Sequence, residues 1–98
     1  MRKRSVYLLA AMKIRNQGLY RGRHKTSIGE NGYSTCIVLA LDRIACDAGL
    51  SCDFYTKPMA KAIFDADDDI QPLIDYNDSC ESVDEACAAL EIMADLVA

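Results

Sequence analysis

Apolar residues recur at intervals of three and four along most of this chain, the spacing of one face of an α-helix. The pattern is clearest near the end, where Ser82 precedes Glu85 by three residues and forms a capping box. Asp84 begins the opposite, polar face. These features predict a last helix whose apolar face comprises Val83, Ala86, Cys87, Leu90, Ala94 and Val97.

Two further helices are predicted in the first half of the chain. The first runs from about residue 5 to residue 17, and Gly18 suits the position after it because glycine adopts positive φ without steric cost. The second starts with Ser34 or Thr35 as its N-cap and ends before Gly49.

A shorter helix is predicted to begin at Thr56, with Pro58 in its first turn, and to stop at the aspartate run that follows. After Pro72 a short apolar patch predicts about one helical turn before the turn signal at Asn77. The pattern therefore predicts an all-α fold, with residues 1–98 forming a single domain built as a compact bundle of about four helices.

Residues 18–34 lack helical periodicity and contain four glycines. With the Asn31-Gly32 turn signal, they predict a long, basic, irregular loop or at most a short hairpin between the first two helices. Loops of this length are usually functional or mobile.

The formal net charge is −4, but positive and negative residues are separated along the chain. All eleven Lys and Arg residues lie at or before Lys61, whereas eleven of the fifteen Asp and Glu residues follow it. Eleven positive and four negative residues give the segment 1–61 a charge of +7, and the segment 62–98 carries −11. Such separation favours contact with a charged macromolecule or between the two segments themselves.

Composition also indicates a compartment. No run of eighteen apolar residues is present, and the basic N-terminus lacks a convincing cleavage site, so we expect neither a membrane span nor secretion. Five cysteines without a C-x-x-C pair predict reduced thiols in a cytoplasmic protein, with no disulfide and no zinc site. The glycines match no nucleotide-binding motif, so no cofactor is expected.

Three short stretches carry a resemblance to a known group of proteins. They are Leu8, Ala11 and Ile14 followed by Gly18 and Gly22; the segment from Cys36 to Leu41; and Tyr76-Asn77-Asp78 followed by a closing amphipathic helix. This order resembles an uncharacterised family, a domain of unknown function from actinobacterial genomes, phages and other mobile elements. The resemblance implies no catalytic residue. It implies a mobile-element protein, and such small proteins often act on host machinery.

The segment 64–78 is rich in aspartate and contains Asp65, Asp67, Asp68, Asp69, Asp75 and Asp78. Alternate aspartates occur at the start of an EF-hand loop, but Ile70 and Tyr76 occupy the positions of its glycine and glutamate, so no calcium site is predicted. An acidic surface can instead occupy a Lys and Arg groove meant for nucleic acid. The alternative is a solvated acidic face that only aids solubility.

A basic cluster begins at Arg2 and has tyrosines between its members, a composition typical of a nucleic-acid surface. Within it, the candidate contacts to nucleic acid or a partner are Arg15, Arg21, Arg23 and Lys25. Alternatively these residues contact the acidic part of the same chain, or that of a second copy in a homodimer.

One catalytic hypothesis is open to this chain. Cys36 is predicted in the first turn of the second helix, where the helix dipole would lower its pKa, and the loop could bring His24 over it as a base. An ordinary half-buried cysteine and an exposed histidine are the alternative.

Together with the mobile-element resemblance, these features predict a non-enzymatic inhibitor of a bacterial protein or ribonucleoprotein complex that handles nucleic acid, in the manner of an anti-CRISPR protein. On this hypothesis the aspartates of segment 64–78 block a basic groove. The alternatives are a nucleic-acid-binding accessory protein that uses the basic cluster, and a Cys36-dependent enzyme. No membrane partner is expected.

Overall fold

The computed structural model describes residues 2–22, 25–28 and 34–98. Two isolated β-bridges join Leu19 to Ile28 and to Thr35, and no β-strand is present in the described ranges. The all-α prediction is therefore confirmed. These ranges contain five helices, α1 (Lys3–Gln17), α2 (Ile37–Asp47), α3 (Thr56–Phe64), α4 (Gln71–Ser79) and α5 (Val83–Leu96).

The count of five differs from the expected count of about four because α4 is a full helix. Pro72 lies in its first turn, where the missing N–H leaves no helical hydrogen bond unmade. Asn77, predicted to begin a turn, is instead buried within α4 and bonds to two other segments of the chain. These tertiary hydrogen bonds outweigh the local preference of asparagine for turns.

One cluster of buried apolar side chains connects all five helices. Helix α1 packs most extensively on α5 and also on α2. Helices α3 and α4 pack on each other and on α2, and α3 also packs on α5. The radius of gyration of 12.2 Å matches the ~13 Å of a compact 100-residue protein, so the chain forms a compact globule. The largest fully buried side chains include Tyr7, Ile14, Leu19, Ile37, Leu41, Met59, Leu73 and Leu90.

The N-cap of α2 is Cys36 rather than Ser34 or Thr35, and its sulfur accepts a first-turn backbone N–H at 3.3 Å. The predicted cap is wrong because Thr35 belongs to a β-bridge, in which its backbone N–H and C=O bond to Gly18 and Tyr20. Pairing with residues 17 and 15 positions earlier in the chain thus decides where α2 begins.

Of three other predicted helix ends, two are confirmed and one is wrong. The predicted capping box of α5 is confirmed, with Ser82 Oγ accepting the Glu85 N–H at 3.2 Å. Gly18 follows α1 with φ 89°, as predicted. The predicted cap of α3 is wrong, because Tyr55 occupies that position and Thr56 Oγ1 is buried without a hydrogen-bond partner among the described residues.

The predicted loop over residues 18–34 falls in part on residues 23, 24 and 29–33, which lie outside the described ranges. Inside those ranges, no helix combines the length and apolar character needed to cross a membrane.

Candidate binding surface

The connection between α3 and α4 carries four exposed aspartates. Asp65, which ends α3, and Asp68 both have left-handed backbone, with φ of 53° and 55°. Aspartate tolerates this conformation better than most residues because its short side chain bonds locally. With Asp75, which is exposed on α4, they form what we term the acidic surface: Asp65, Asp67, Asp68, Asp69 and Asp75.

Two members of the acidic surface pair with lysines of α3. Asp67 Oδ1 lies 2.8 Å from Lys61 Nζ, and Asp68 Oδ1 lies 2.9 Å from Lys57 Nζ, which also contacts Asp53 at 3.1 Å. The hydrogen bond from Lys61 lowers the pKa of Asp67, and the pKa values of both lysines are raised in return. Exposed pairs of this kind contribute little to stability, so an external cation can replace either lysine.

The other three members, Asp65, Asp69 and Asp75, have no Lys or Arg within 4.0 Å among the described residues. Gln71 joins two of them: its backbone N–H donates to Asp69 Oδ1 and its Nε2 donates to Asp75 Oδ1, both at 2.9 Å. These bonds orient the carboxylates without neutralising them. The acidic surface therefore presents uncompensated negative charge.

Asp78, three residues after Asp75 in α4, has different surroundings from the acidic surface. It is only partly exposed, and its Oδ1 accepts a hydrogen bond from Asn77 at 3.1 Å. Gly22 lies directly over it, since a Cβ on Gly22 would be 3.2 Å from Asp78 Oδ2. Five of the six predicted aspartates are thus exposed, whereas the sixth is partly covered by the segment that follows α1.

Arg15, predicted to contact a partner, joins α1 to α5 instead. Its Nη1 lies 2.7 Å from Asp84 Oδ1 and its Nη2 lies 2.8 Å from Glu91 Oε1. These two hydrogen bonds raise the pKa of Arg15. One of the predicted contacts between the basic and acidic parts of the chain is therefore realised within the molecule.

Arg21 and Lys25 also bond within the fold. Arg21 donates to the carbonyl of Thr26 at 3.0 and 2.7 Å and to the carbonyl of Cys80 at 3.1 Å. Lys25 Nζ donates to the carbonyl of Asp78 at 2.7 Å. Both cations hold the segment after α1 against the end of α4. Arg23, the remaining predicted contact, lies outside the described residues.

Asn77 holds three segments together, and sequence reasoning missed this role. Its Oδ1 accepts the N–H of Ile37 at 2.9 Å, one of the donors that a helix N-terminus leaves without an intrahelical partner. Its Nδ2 donates to the carbonyl of Tyr20 at 2.9 Å. The signal in the sequence is the Tyr76-Asn77-Asp78 run, which carries the family resemblance but gives no indication that Asn77 is buried.

The Cys36 thiol differs from the expected nucleophile. Burial raises its pKa, and the backbone N–H groups of Leu39 and Val38 offset only part of that effect. The direction is opposite to the predicted lowering by the helix dipole, because desolvation of the thiolate dominates at this N-cap. His24 lies outside the described residues, so its pairing with Cys36 stays a prediction.

An open groove of about 790 Å³ separates α1 from α2. Lys13 and Arg43 line it together with Asp42 and Asp47, so charges of both signs face it. Asp42 Oδ1 is buried and has no hydrogen-bond partner among the residues that the structure describes, and burial raises the pKa of this carboxyl. In the described part of the chain, no group of three or more His, Cys, Asp and Glu residues is placed to hold a metal ion.

Comparisons of the chain with protein-family models, curated proteins and solved structures find no match. The resemblance to a family of mobile-element proteins therefore stays a prediction.

Proposed function

We propose that this protein is a non-enzymatic inhibitor from a phage or other mobile element, which blocks a bacterial nucleic-acid-handling defence complex with its acidic surface. The partner is a protein or ribonucleoprotein with a Lys- and Arg-rich groove. The carboxylates take the place of DNA or RNA phosphates in that groove, in the manner of an anti-CRISPR protein.

The observation that carries the proposal is the excess negative charge of the acidic surface, whose five aspartates have two lysine partners, Lys57 and Lys61, among the described residues. Apart from the hydrogen bonds that Gln71 makes to Asp69 and Asp75, an excess of negative charge on one surface does not stabilise the fold, since like charges repel. A basic groove would supply the missing counter-charges. The Lys and Arg side chains of the groove would also replace Lys61 and Lys57, the exposed partners of Asp67 and Asp68.

Charge removal tests the mechanism if it preserves the backbone. Asparagine is the replacement of choice, because it tolerates the left-handed conformation of Asp65 and can still accept the Gln71 N–H at position 69. The test variant is therefore Asp65→Asn/Asp69→Asn/Asp75→Asn. The control Asp47→Asn/Glu81→Gln/Asp95→Asn removes the same number of charges from exposed sites outside the acidic surface.

The assay is phage plating on bacterial strains that each carry one defined CRISPR–Cas system and express the wild-type chain or a variant. We expect the wild-type chain to restore plating in at least one strain, the test variant to lose this effect by at least about tenfold, and the control to retain it. Equal inhibition by the test variant would exclude the acidic surface as the binding site. No restoration in any strain, and no complex with the purified effectors, would exclude the anti-CRISPR function.

A second candidate function, nucleic-acid binding, has one observation in its favour. Arg2, Lys3 and Arg4 are exposed at the N-terminus of α1, where the helix dipole disfavours positive charge and no acidic residue lies in the first turn. These cations therefore do not serve helix stability. Changing all three to Gln should reduce both the affinity for DNA or RNA and its salt dependence, whereas an inhibitor acting through its acidic surface would be unaffected.

A further inference from the structure

Three of the five cysteines serve the fold. The Cys36 sulfur caps α2, the Cys80 thiol donates to the carbonyl of Tyr76 at 3.2 Å, and the Cys87 thiol donates to the carbonyl of Ala11 at 3.4 Å. Burial raises the pKa of each of these thiols, that of Cys80 to about 11. They behave as small buried residues rather than as reactive groups.

Cys46 and Cys52 differ from the other three. Both side chains are exposed, and their sulfur atoms lie 3.2 Å apart. Cys46 belongs to the last turn of α2, and Cys52 lies in the turn that leads to α3. Each thiol has the other as its hydrogen-bond partner.

The backbone between these cysteines holds them together. Two hydrogen bonds fold the chain back at the end of α2: the Gly49 N–H donates to the carbonyl of Cys46 at 3.0 Å, and the Leu50 N–H donates to the carbonyl of Ala45 at 2.9 Å. Gly49 has φ 74°, which most other residues would adopt only with strain. The Leu50 side chain packs against the core cluster, so the turn is anchored at both ends.

We propose that Cys46 and Cys52 are a redox modification site, at which the two thiols form a reversible disulfide that closes residues 46–52. The bond would join the end of α2 to the segment before α3. This proposal does not depend on the acidic surface or on the identity of its partner. It differs from the expectation that the chain forms no disulfide, because that expectation considered only spacing and compartment.

The oxidant is a low-molecular-weight disulfide such as oxidised glutathione. One cysteine thiolate attacks it, which forms a mixed disulfide and releases one glutathione thiolate. The second cysteine thiolate then attacks the protein sulfur of the mixed disulfide, which forms the Cys46–Cys52 bond and releases the second glutathione. The two protein thiols lose two protons and two electrons, and one glutathione disulfide becomes two glutathione molecules.

Proximity rather than thiol activation favours this reaction. The hydrogen bond with Cys46, followed by smaller effects that include the charges of Asp42 and Asp53, raises the pKa of Cys52. A raised pKa reduces the thiolate fraction at neutral pH. The folded backbone instead increases the effective concentration of one thiol at the other, which favours the disulfide at equilibrium.

The test is to equilibrate the full chain in glutathione buffers of graded oxidised-to-reduced ratio, once folded and once in urea, followed by acid quenching, alkylation and tryptic digestion. Pro58 protects the Lys57 bond, so one peptide of residues 44–61 contains both cysteines. A disulfide lowers its mass by about 2 Da and prevents its alkylation. We expect the folded chain to reach half oxidation at a ratio at least about tenfold less oxidising than the chain in urea.

A disulfide that forms more readily in the folded chain than in the unfolded chain also stabilises the folded chain. The oxidised protein should therefore have a higher melting temperature than the reduced protein. Half oxidation at the same or a more oxidising ratio when folded would overturn the proposal. So would a product dominated by glutathione adducts or by disulfides between chains.

Single variants make the assignment specific. Cys46→Ser and Cys52→Ser should each abolish the mass loss of this peptide. Cys36→Ser is the matched control, because serine is a good N-cap and should preserve α2. It should leave the midpoint of oxidation unchanged, and a shift in that midpoint would show that Cys36 takes part in the pairing and would overturn the proposal.

Discussion

Arg15, Arg21 and Lys25, from the basic part of the chain, each bond to groups on other elements of the fold, whereas Asp65, Asp69 and Asp75 have no Lys or Arg partner among the described residues. The former hold helices and loops in place. The latter leave charge available at the surface. A formal charge count cannot distinguish the two sets. The structure distinguishes them, because the basic residues have acceptors within hydrogen-bond distance and the three aspartates have no cation there.

The difference has a physical origin. Backbone carbonyls left without partners at helix ends and turns need donors, and a long Arg or Lys side chain can reach them while its charge stays in water. Aspartate is short and only accepts hydrogen bonds, so near a helix N-terminus it can bind an N–H group, as Asp69 does, but it cannot reach far for a cation. The longer basic side chains are thus better suited to bonds within the fold than the aspartates are.

The largest expected effect comes from Asn77→Ala, which tests the buried network beside the basic segment. It would leave the N–H of Ile37 and the carbonyl of Tyr20 without their partner, so the free energy of unfolding should fall by about 2–4 kcal/mol. Urea denaturation measures this loss. The neighbouring Ser79→Ala, at an exposed site, should change it by less than ~0.5 kcal/mol; equal effects of the two changes would contradict the assigned role of Asn77.

Alkaline pH should lower the free energy of unfolding through the buried Tyr7, whose hydroxyl donates to the carbonyl of Tyr55 at 2.8 Å. Burial, with a smaller contribution from Tyr55, raises the pKa of Tyr7 from 10.0 to about 12. Between these values the unfolded chain releases a proton that the folded chain retains, so stability falls as pH rises. The loss attributable to Tyr7 is on the order of 2 kcal/mol.

Stability curves at pH 9 to 12 measure this effect as the difference between the wild-type chain and Tyr7→Phe. The variant should lack that part of the alkaline loss, although it loses about 1 kcal/mol near neutral pH with the hydrogen bond. Identical slopes for Tyr7→Phe and the wild-type chain would show that Tyr7 does not titrate in this range.

Arg21→Met should lower stability by about 1–2 kcal/mol, because the carbonyls of Thr26 and Cys80 lose a charged donor. Arg21→Lys should recover only part of this loss, since an ammonium group cannot reproduce the planar fork that bonds both carbonyls. Arg15→Met should cost less, about 0.5 kcal/mol, because its ion pairs are exposed and screened by salt. Thermal melts at low and high salt distinguish the two sites; a larger salt effect at Arg21 would contradict this order.

The smallest effect on stability is expected for Asp65→Asn/Asp69→Asn/Asp75→Asn, the variant that should most reduce inhibition. Loss of unpaired repulsive charge should leave the melting temperature unchanged or slightly higher. Circular dichroism melts measure this. A marked destabilisation would indicate that the acidic surface serves the fold and would weaken its assignment as a binding surface.

Local sequence patterns predicted the elements that local interactions stabilise. The capping box at Ser82, the apolar face of α5 and Gly18 after α1 each depend on residues within a few positions of one another. The prediction failed where a distant residue provides the partner. Thr35 does not cap α2 because its backbone pairs with residues 18 and 20.

The sequence predicted that segment 64–78 is acidic, but it predicted only in part which of its aspartates are exposed on one surface. Five of the six candidate aspartates are exposed, whereas Asp78 is partly covered and its backbone carbonyl accepts a hydrogen bond from Lys25, 53 positions earlier. Segment 64–78 alone cannot reveal that contact. Nor does the spacing of six residues between Cys46 and Cys52 predict a contact, because a turn in the fold brings their sulfur atoms together.

The sequence by itself determined that the chain is helical, where most helices lie, and that its charge is divided along its length. These properties follow from hydrophobic periodicity and composition, which act over short distances in the chain. Only the tertiary structure decided which charges are paired, which cysteines face each other and that Asn77 is buried. Those outcomes depend on contacts between helices, because a polar group leaves water at low cost only where the fold places a partner beside it.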